Sequence, residues 1–100
     1  MIYLAYVFSA FFFVNGIPHY VYGVSGQRFQ SPFAKPPGVG ESSPLINVLW
    51  GSFNFFMGYL LLSYAGFFVV GPNVATFVFF SAVFVSSIAL AVVFGRIRKA

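Results

Sequence analysis

Three stretches of this chain, residues 2–24, 44–70 and 74–95, contain no lysine, arginine, aspartate or glutamate. Each is long enough to cross the ~30 Å hydrocarbon core of a bilayer at a helical rise of ~1.5 Å per residue. Inside lipid the backbone must satisfy its own polar groups, so uncharged segments of this length and composition fold as helices. The pattern predicts an all-α membrane protein of three transmembrane helices, with a loop over 25–43 and a basic tail over 96–100. Gly71-Pro72-Asn73 is the only break between the second and third stretches. So short a connection predicts that these two spans form a tight antiparallel hairpin.

All five basic residues fall on one side of such a three-span arrangement: Arg28 and Lys35 in the loop, Arg96, Arg98 and Lys99 in the tail. Cytoplasmic loops collect Lys and Arg, so the expected orientation has the N-terminus outside and the C-terminus in the cytoplasm. With 60% hydrophobic and 6% charged residues, the chain falls far short of the charged share of a soluble domain. A water-soluble fold of this size could not bury so much apolar surface. The low charge and compact size suit a bacterial inner membrane. The net charge of +4 is too sparse and too divided to mark a nucleic-acid surface. The expected contacts of Arg28, Lys35, Arg96, Arg98 and Lys99 are lipid headgroups, at about 1 kcal/mol each.

The first stretch has no basic lead-in and no small-residue cleavage site, so it is expected to be a retained span. Pro18 removes one helical donor within it and should bend the helix. The 25–43 segment is too rich in Pro and Gly for a long helix. Its two aromatics, Phe29 and Phe33, argue for order, because disordered segments are poor in aromatics. Ser43-Pro44 reads as a helix start, with Ser as N-cap and Pro at the first helical position. Trp50 suits the headgroup level.

Within the second span, Asn47, Gly51, Asn54, Gly58 and Ala65 are separated by four, three, four and seven residues, which places them on one helical face. Small residues admit close helix approach, and Asn side chains hydrogen-bond across the interface. The third span offers two small faces, Ala82-Ser86-Ala89 and Ser87-Ala91-Gly95. Asn15 and His19 stand one turn apart on the first span. In the expected orientation these polar groups share the inner half of the membrane. They should therefore converge on a pocket open to the cytoplasm, formed by Asn15, His19, Asn47 and Asn54, with Trp50 as a wall and the Arg28 loop as a lid. Packing alone is the competing explanation for the Asn and Gly face. His19 is the one titratable side chain within a span, and such groups are functional hypotheses by default.

Other chemistry lacks its parts. There is no cysteine, and Glu41 is the sole acid, so paired-carboxylate and Ser-His-Asp machinery is missing. Gly38-Val39-Gly40-Glu41-Ser42-Ser43 lacks the Lys-Ser/Thr ending of a phosphate loop. A lone His19 is an incomplete metal constellation, so no metal and no cofactor is expected. Asn15-Gly16-Ile17-Pro18-His19, then Gly23 and Gly26, Ser31-Pro32-Phe33, Ser43-Pro44, Asn47-Val48-Leu49-Trp50-Gly51 and Asn54 resemble the pattern of small, uncharacterised bacterial integral membrane proteins. The resemblance covers about the first half of the chain and implies no activity, substrate or catalytic residue. The function expected from the residues is that of a small non-catalytic multi-pass protein, packing as a homo-oligomer or as a subunit of a membrane complex. The alternatives are an oligomeric transporter or channel, and a protein binding lipid or a small molecule in the pocket around His19 and Asn54. The expected partners are membrane lipids and a second membrane protein chain, with no nucleic acid.

Overall fold

The computed structural model describes residues 2–98; Lys99 lies outside the described residues. Three helices carry the fold: α1 (Ile2–Val24), α2 (Pro44–Ala65) and α3 (Val74–Arg98). All three are long and apolar enough to cross a membrane. This is the all-α, three-span membrane architecture that the charge-free stretches predict.

α1 is the central element, and both other helices pack on it. It runs antiparallel to α2, with Ser9 beside Gly58, Asn15 beside Asn54 and His19 beside Asn47. It runs parallel to α3, with Phe13 against Phe79, His19 against Phe94 and Tyr22 under Arg98. α2 and α3 therefore run in opposite directions, and they pack chiefly through α1.

The α1–α2 interface is close because it is built on small residues. A Cβ added to Gly51 would stand 2.7 Å from the Tyr20 backbone nitrogen and 3.0 Å from the Gly16 carbonyl oxygen. Only glycine permits these backbones to approach so nearly. The buried residues of α2 are Asn47, Gly51, Asn54, Gly58 and Ala65, the face that the spacing of small and polar residues marks out. α3 contributes much less burial: Ala82 is its only buried residue. Ser86 is half-buried, while Ala89 and the whole Ser87-Ala91-Gly95 face are exposed.

Two helix boundaries differ from expectation. The second helix ends at Ala65 rather than at residue 70. Apolar character continues through Gly66-Phe67-Phe68-Val69-Val70, but Gly66 takes φ 102°, outside the helical region. The Tyr6 hydroxyl donates there, 2.5 Å from the Gly66 oxygen and 3.4 Å from that of Ala65. This answers the need of a helix C-terminus for outside donors. Phe68 then folds back edge-on to the Tyr6 ring, with centroids 5.4 Å apart. The connection between α2 and α3 is thus residues 66–73, longer than Gly71-Pro72-Asn73 alone. Asn73 caps α3, its Oδ1 accepting from the Thr76 amide at 2.8 Å. The third helix passes Gly95 and continues to Arg98, where the arginines of its last turn complement the negative end of the helix dipole.

The 25–43 segment is ordered around a two-stranded antiparallel ladder, β1 (Phe29–Gln30) with β2 (Glu41–Ser42). Ser43 caps α2 through its Oγ, which accepts from the Ile46 amide, and Pro44 occupies the first turn.

Candidate functional site

Asn47 and Asn54 are both fully buried and face α1. Their hydrogen bonds fix more than helix packing. The two N–H groups of Asn47 Nδ2 are shared among three backbone carbonyls, those of Phe29, Ser42 and Ser43, each at 3.1 Å. A carbonyl can only accept, so this nitrogen is identified by its surroundings and Asn47 Oδ1 must point the other way. It points at His19 Nδ1, 2.9 Å distant. An amide oxygen cannot donate, so Nδ1 carries the proton and donates. With the ring neutral, Nε2 is then left as a bare acceptor.

A second relay has the same polarity. Asn54 Nδ2 donates to the Trp50 carbonyl at 2.8 Å, which turns Asn54 Oδ1 toward α1. Asn15 Nδ2 donates to that oxygen at 3.0 Å. Asn15 Oδ1 therefore faces away from the interface, without a hydrogen-bond partner among the described residues.

Asn15 and His19 lie on one face of α1, and both line a cavity of about 240 Å³. Its other walls are Trp50 from α2, Val93 and Phe94 from α3, and Gln30, Ser31, Pro32 and Gly38 from the 25–43 segment. His19 is only 2% exposed, and its ring is packed among Phe29, Trp50 and Phe94. No fully enclosed polar side-chain atom among the described residues lacks a partner. His19 Nε2 has none, so it is not sealed, and the space that His19 borders is this cavity.

The loop residues are held firmly. Ser31 Oγ and Ser42 Oγ are 2.6 Å apart, and Ser31 Oγ also accepts from the Phe33 amide. Gln30 Oε1 accepts from Arg98 Nη1 at 2.9 Å, and the Gln30 amide nitrogen donates to Glu41. Arg98 also lies 3.4 Å from the Glu41 carboxylate and over the faces of Tyr22 and Phe29. Arg28 donates to the Glu41 carbonyl. Arg98 thus fastens the strand pair to the end of α3, Arg28 ties the segment to itself, and the segment closes one end of the bundle. Phe33 rests edge-on against Trp50, with centroids 5.1 Å apart.

Of the residues singled out from sequence, the structure brings Asn15, His19 and Trp50 to one cavity. Asn47 and Asn54 stand behind them as the groups that orient them. Arg28, Lys35 and Arg96 are exposed. Arg98 is engaged by Gln30, Glu41 and two aromatic rings. Gln30, Ser31, Pro32, Gly38, Val93 and Phe94 were not singled out as site residues. They reach the cavity through loop folding and α3 packing, which leave no periodic trace in the sequence.

The fold and this site define a class: a three-helix protein with spans apolar enough for a membrane and a loop-capped, largely apolar cavity bordered by Asn15 and His19 at one end of its bundle. Comparison with protein-family models, curated protein sequences and solved structures finds no match to this chain.

Proposed function

We propose that this chain is a non-catalytic multi-pass membrane protein that binds a small molecule in the cavity bordered by Asn15, His19 and Trp50. The observation that carries the reading is His19 Nε2: an unpartnered acceptor on a side chain 2% exposed, at the wall of a 240 Å³ space. Nε2 is not sealed off from that space, so a bound donor can reach it. Catalysis has little support, since the only carboxylate, Glu41, is taken up by Arg98 and Gln30. The closed end of the bundle carries Arg28, Lys35, Arg96 and Arg98, and we assign it to the cytoplasm of a bacterial inner membrane on the distribution of these cations. The N-terminus then faces outward, and Arg28, Lys35 and Arg96 meet anionic headgroups.

The test is native mass spectrometry of the full chain released from lipid nanodiscs. A non-lipid mass retained by the wild type and lost from Val93→Phe, which narrows the cavity from an exposed position, supports the reading. An empty wild-type protein under conditions that preserve the fold contradicts it.

A second reading rests on α3. With Ala82 its only buried residue, this helix leaves most of its surface to lipid or to another chain. The Ser87-Ala91-Gly95 face offers close approach, and nothing lies within 4 Å of a Cβ placed on Gly95. We propose that this face packs against a second copy or a larger membrane protein, driven by van der Waals fit rather than by hydrophobicity. Single-molecule photobleaching in bilayers tests it: wild-type assemblies that Ala91→Leu disperses support this interface, and monomers throughout oppose self-association.

A further inference from the structure

The polarity of the two relays says what kind of molecule the cavity takes. Backbone carbonyls fix the direction of both: Phe29, Ser42 and Ser43 through Asn47 to His19, and Trp50 through Asn54 to Asn15. Both end on an open lone pair, His19 Nε2 in one and Asn15 Oδ1 in the other. None of these amides can turn over without setting its own oxygen against another oxygen, a backbone carbonyl for Asn47 and Asn54 and the Asn54 amide for Asn15. The spare donors on lining side chains are neutral, among them the second amide hydrogens of Asn15 and Gln30 and the indole N–H of Trp50.

Three ligand classes are thereby ranked. An anion would face two lone pairs with no cation aimed at it, because Arg98 is held by Gln30 and Glu41 and Arg28 by the Glu41 carbonyl. A cation would enter a space with no lining carboxylate, at the end of the bundle where the arginines gather, and a charge buried without a partner is costly. An uncharged –NH2 group suits the site: it supplies two N–H donors for the two acceptors. A carbonyl beside it accepts from the Asn15 amide or the Trp50 indole. The remaining walls, Trp50, Val93, Phe94 and Pro32, are apolar and suit a compact hydrocarbon or aromatic body.

We propose that the cavity binds an uncharged primary carboxamide on a small apolar body, its –NH2 directed at His19 Nε2 and Asn15 Oδ1. The proposal rests on the reading of the cavity as a binding site and specifies the chemistry that site selects.

Trp50 is the only tryptophan of the chain and lines the cavity, so its fluorescence reports occupancy. The full chain in lipid nanodiscs is titrated with benzamide, N,N-dimethylbenzamide and benzoate. The expected result is a saturable emission change with benzamide, at least tenfold weaker binding of the dimethyl compound, which lacks both donors, and no saturation with benzoate. The comparison changes only the probe, so variant folding does not enter it. As a second measurement, His19→Phe and Asn15→Leu should each weaken benzamide by roughly three- to tenfold, the loss of one hydrogen bond. Equal binding of all three probes overturns the carboxamide assignment and leaves the cavity a general small-molecule site. Saturation by none of them, while native mass spectrometry still finds a mass that Val93→Phe releases, overturns the carboxamide class alone. Saturation by none and an empty protein, its cavity holding water only, overturns both readings.

Discussion

His19 Nδ1 and Asn47 Oδ1 lie 2.9 Å apart, and this one hydrogen bond sets which nitrogen of the imidazole meets the cavity. It also joins three parts of the chain, because Asn47 holds the carbonyls of Phe29 and Ser42 in the strand pair and of Ser43 at the cap of α2. A single buried amide thus orients the site and docks the segment that covers it.

Asn47 and Asn54 should therefore differ in worth although both are fully buried. Asn47→Ala strands the His19 N–H and the carbonyls that its amide held, and should cost about 3 kcal/mol. Asn54→Ala breaks one interhelical side-chain bond, for which about 0.6 kcal/mol is the average in a folded membrane protein. Reversible unfolding by steric trapping in bicelles measures both. Equal losses would show that Asn47 has no special part in holding the loop.

Gly51 and Gly95 should respond in opposite ways to alanine. The Gly51 Cβ would meet backbone atoms of α1 at 2.7–3.0 Å, which neither helix can yield without separating. Gly51→Ala should destabilise by about 1–3 kcal/mol, as overpacking does. Gly95→Ala meets nothing and removes a flexible residue from a helix, so it should be neutral or stabilise by up to about 1 kcal/mol. The same unfolding measurement compares them, and a tolerated Gly51→Ala would contradict the close approach of α1 and α2.

Tyr6→Phe should loosen the far end of the bundle and leave the cavity intact. The hydroxyl donates to the carbonyl that follows the last turn of α2. Its removal should cost about 1 kcal/mol and speed amide hydrogen exchange in the final turn of α2. Exchange near His19 should not change; if it does, the two ends of the bundle are coupled more tightly than their separate contacts suggest.

The Arg98–Glu41 pair should contribute little through its charge alone. Its side chains are 32% and 42% exposed, and exposed ion pairs are typically worth 0.2–1 kcal/mol, about the lower end once screened by salt. Glu41→Gln should therefore be mild. Arg98→Ala should cost more, because it also removes the bond to Gln30 and the stacking over Tyr22 and Phe29. Chymotrypsin cleavage within 25–43, read in nanodiscs, distinguishes them: faster cutting in the arginine variant than in the glutamate variant is expected, and equal rates would oppose it.

The sequence carries the α2 face openly because it is a local pattern. Asn47, Gly51, Asn54, Gly58 and Ala65 recur at helical spacing, and lipid gives such residues one use, to face another helix. Ser43-Pro44 and Asn73 are legible for the same reason, since caps act within a turn. The end of α2 is harder to read. Phe67 to Val70 are as apolar as a span, and only the glycine at 66 and a tyrosine sixty residues earlier explain the stop. The site is half legible. Asn15, His19 and Trp50 stand out as polar or amphipathic groups in apolar helices. Gln30, Ser31 and Phe94 do not, because their positions depend on how a proline-rich segment folds back and where α3 packs. The direction of each amide relay is less visible still, since it follows from backbone carbonyls that any residue possesses.

The most direct measurement is nitrogen NMR of the chain with ¹⁵N-labelled histidine in nanodiscs, where His19 is the only histidine. The hydrogen bonding predicts a proton on Nδ1, and the acceptor character proposed for the cavity requires Nε2 to show the resonance of an unprotonated nitrogen that shifts when benzamide is added. A proton on Nε2, with Nδ1 bare, would contradict the relay from Asn47 and the acceptor character of the cavity with it.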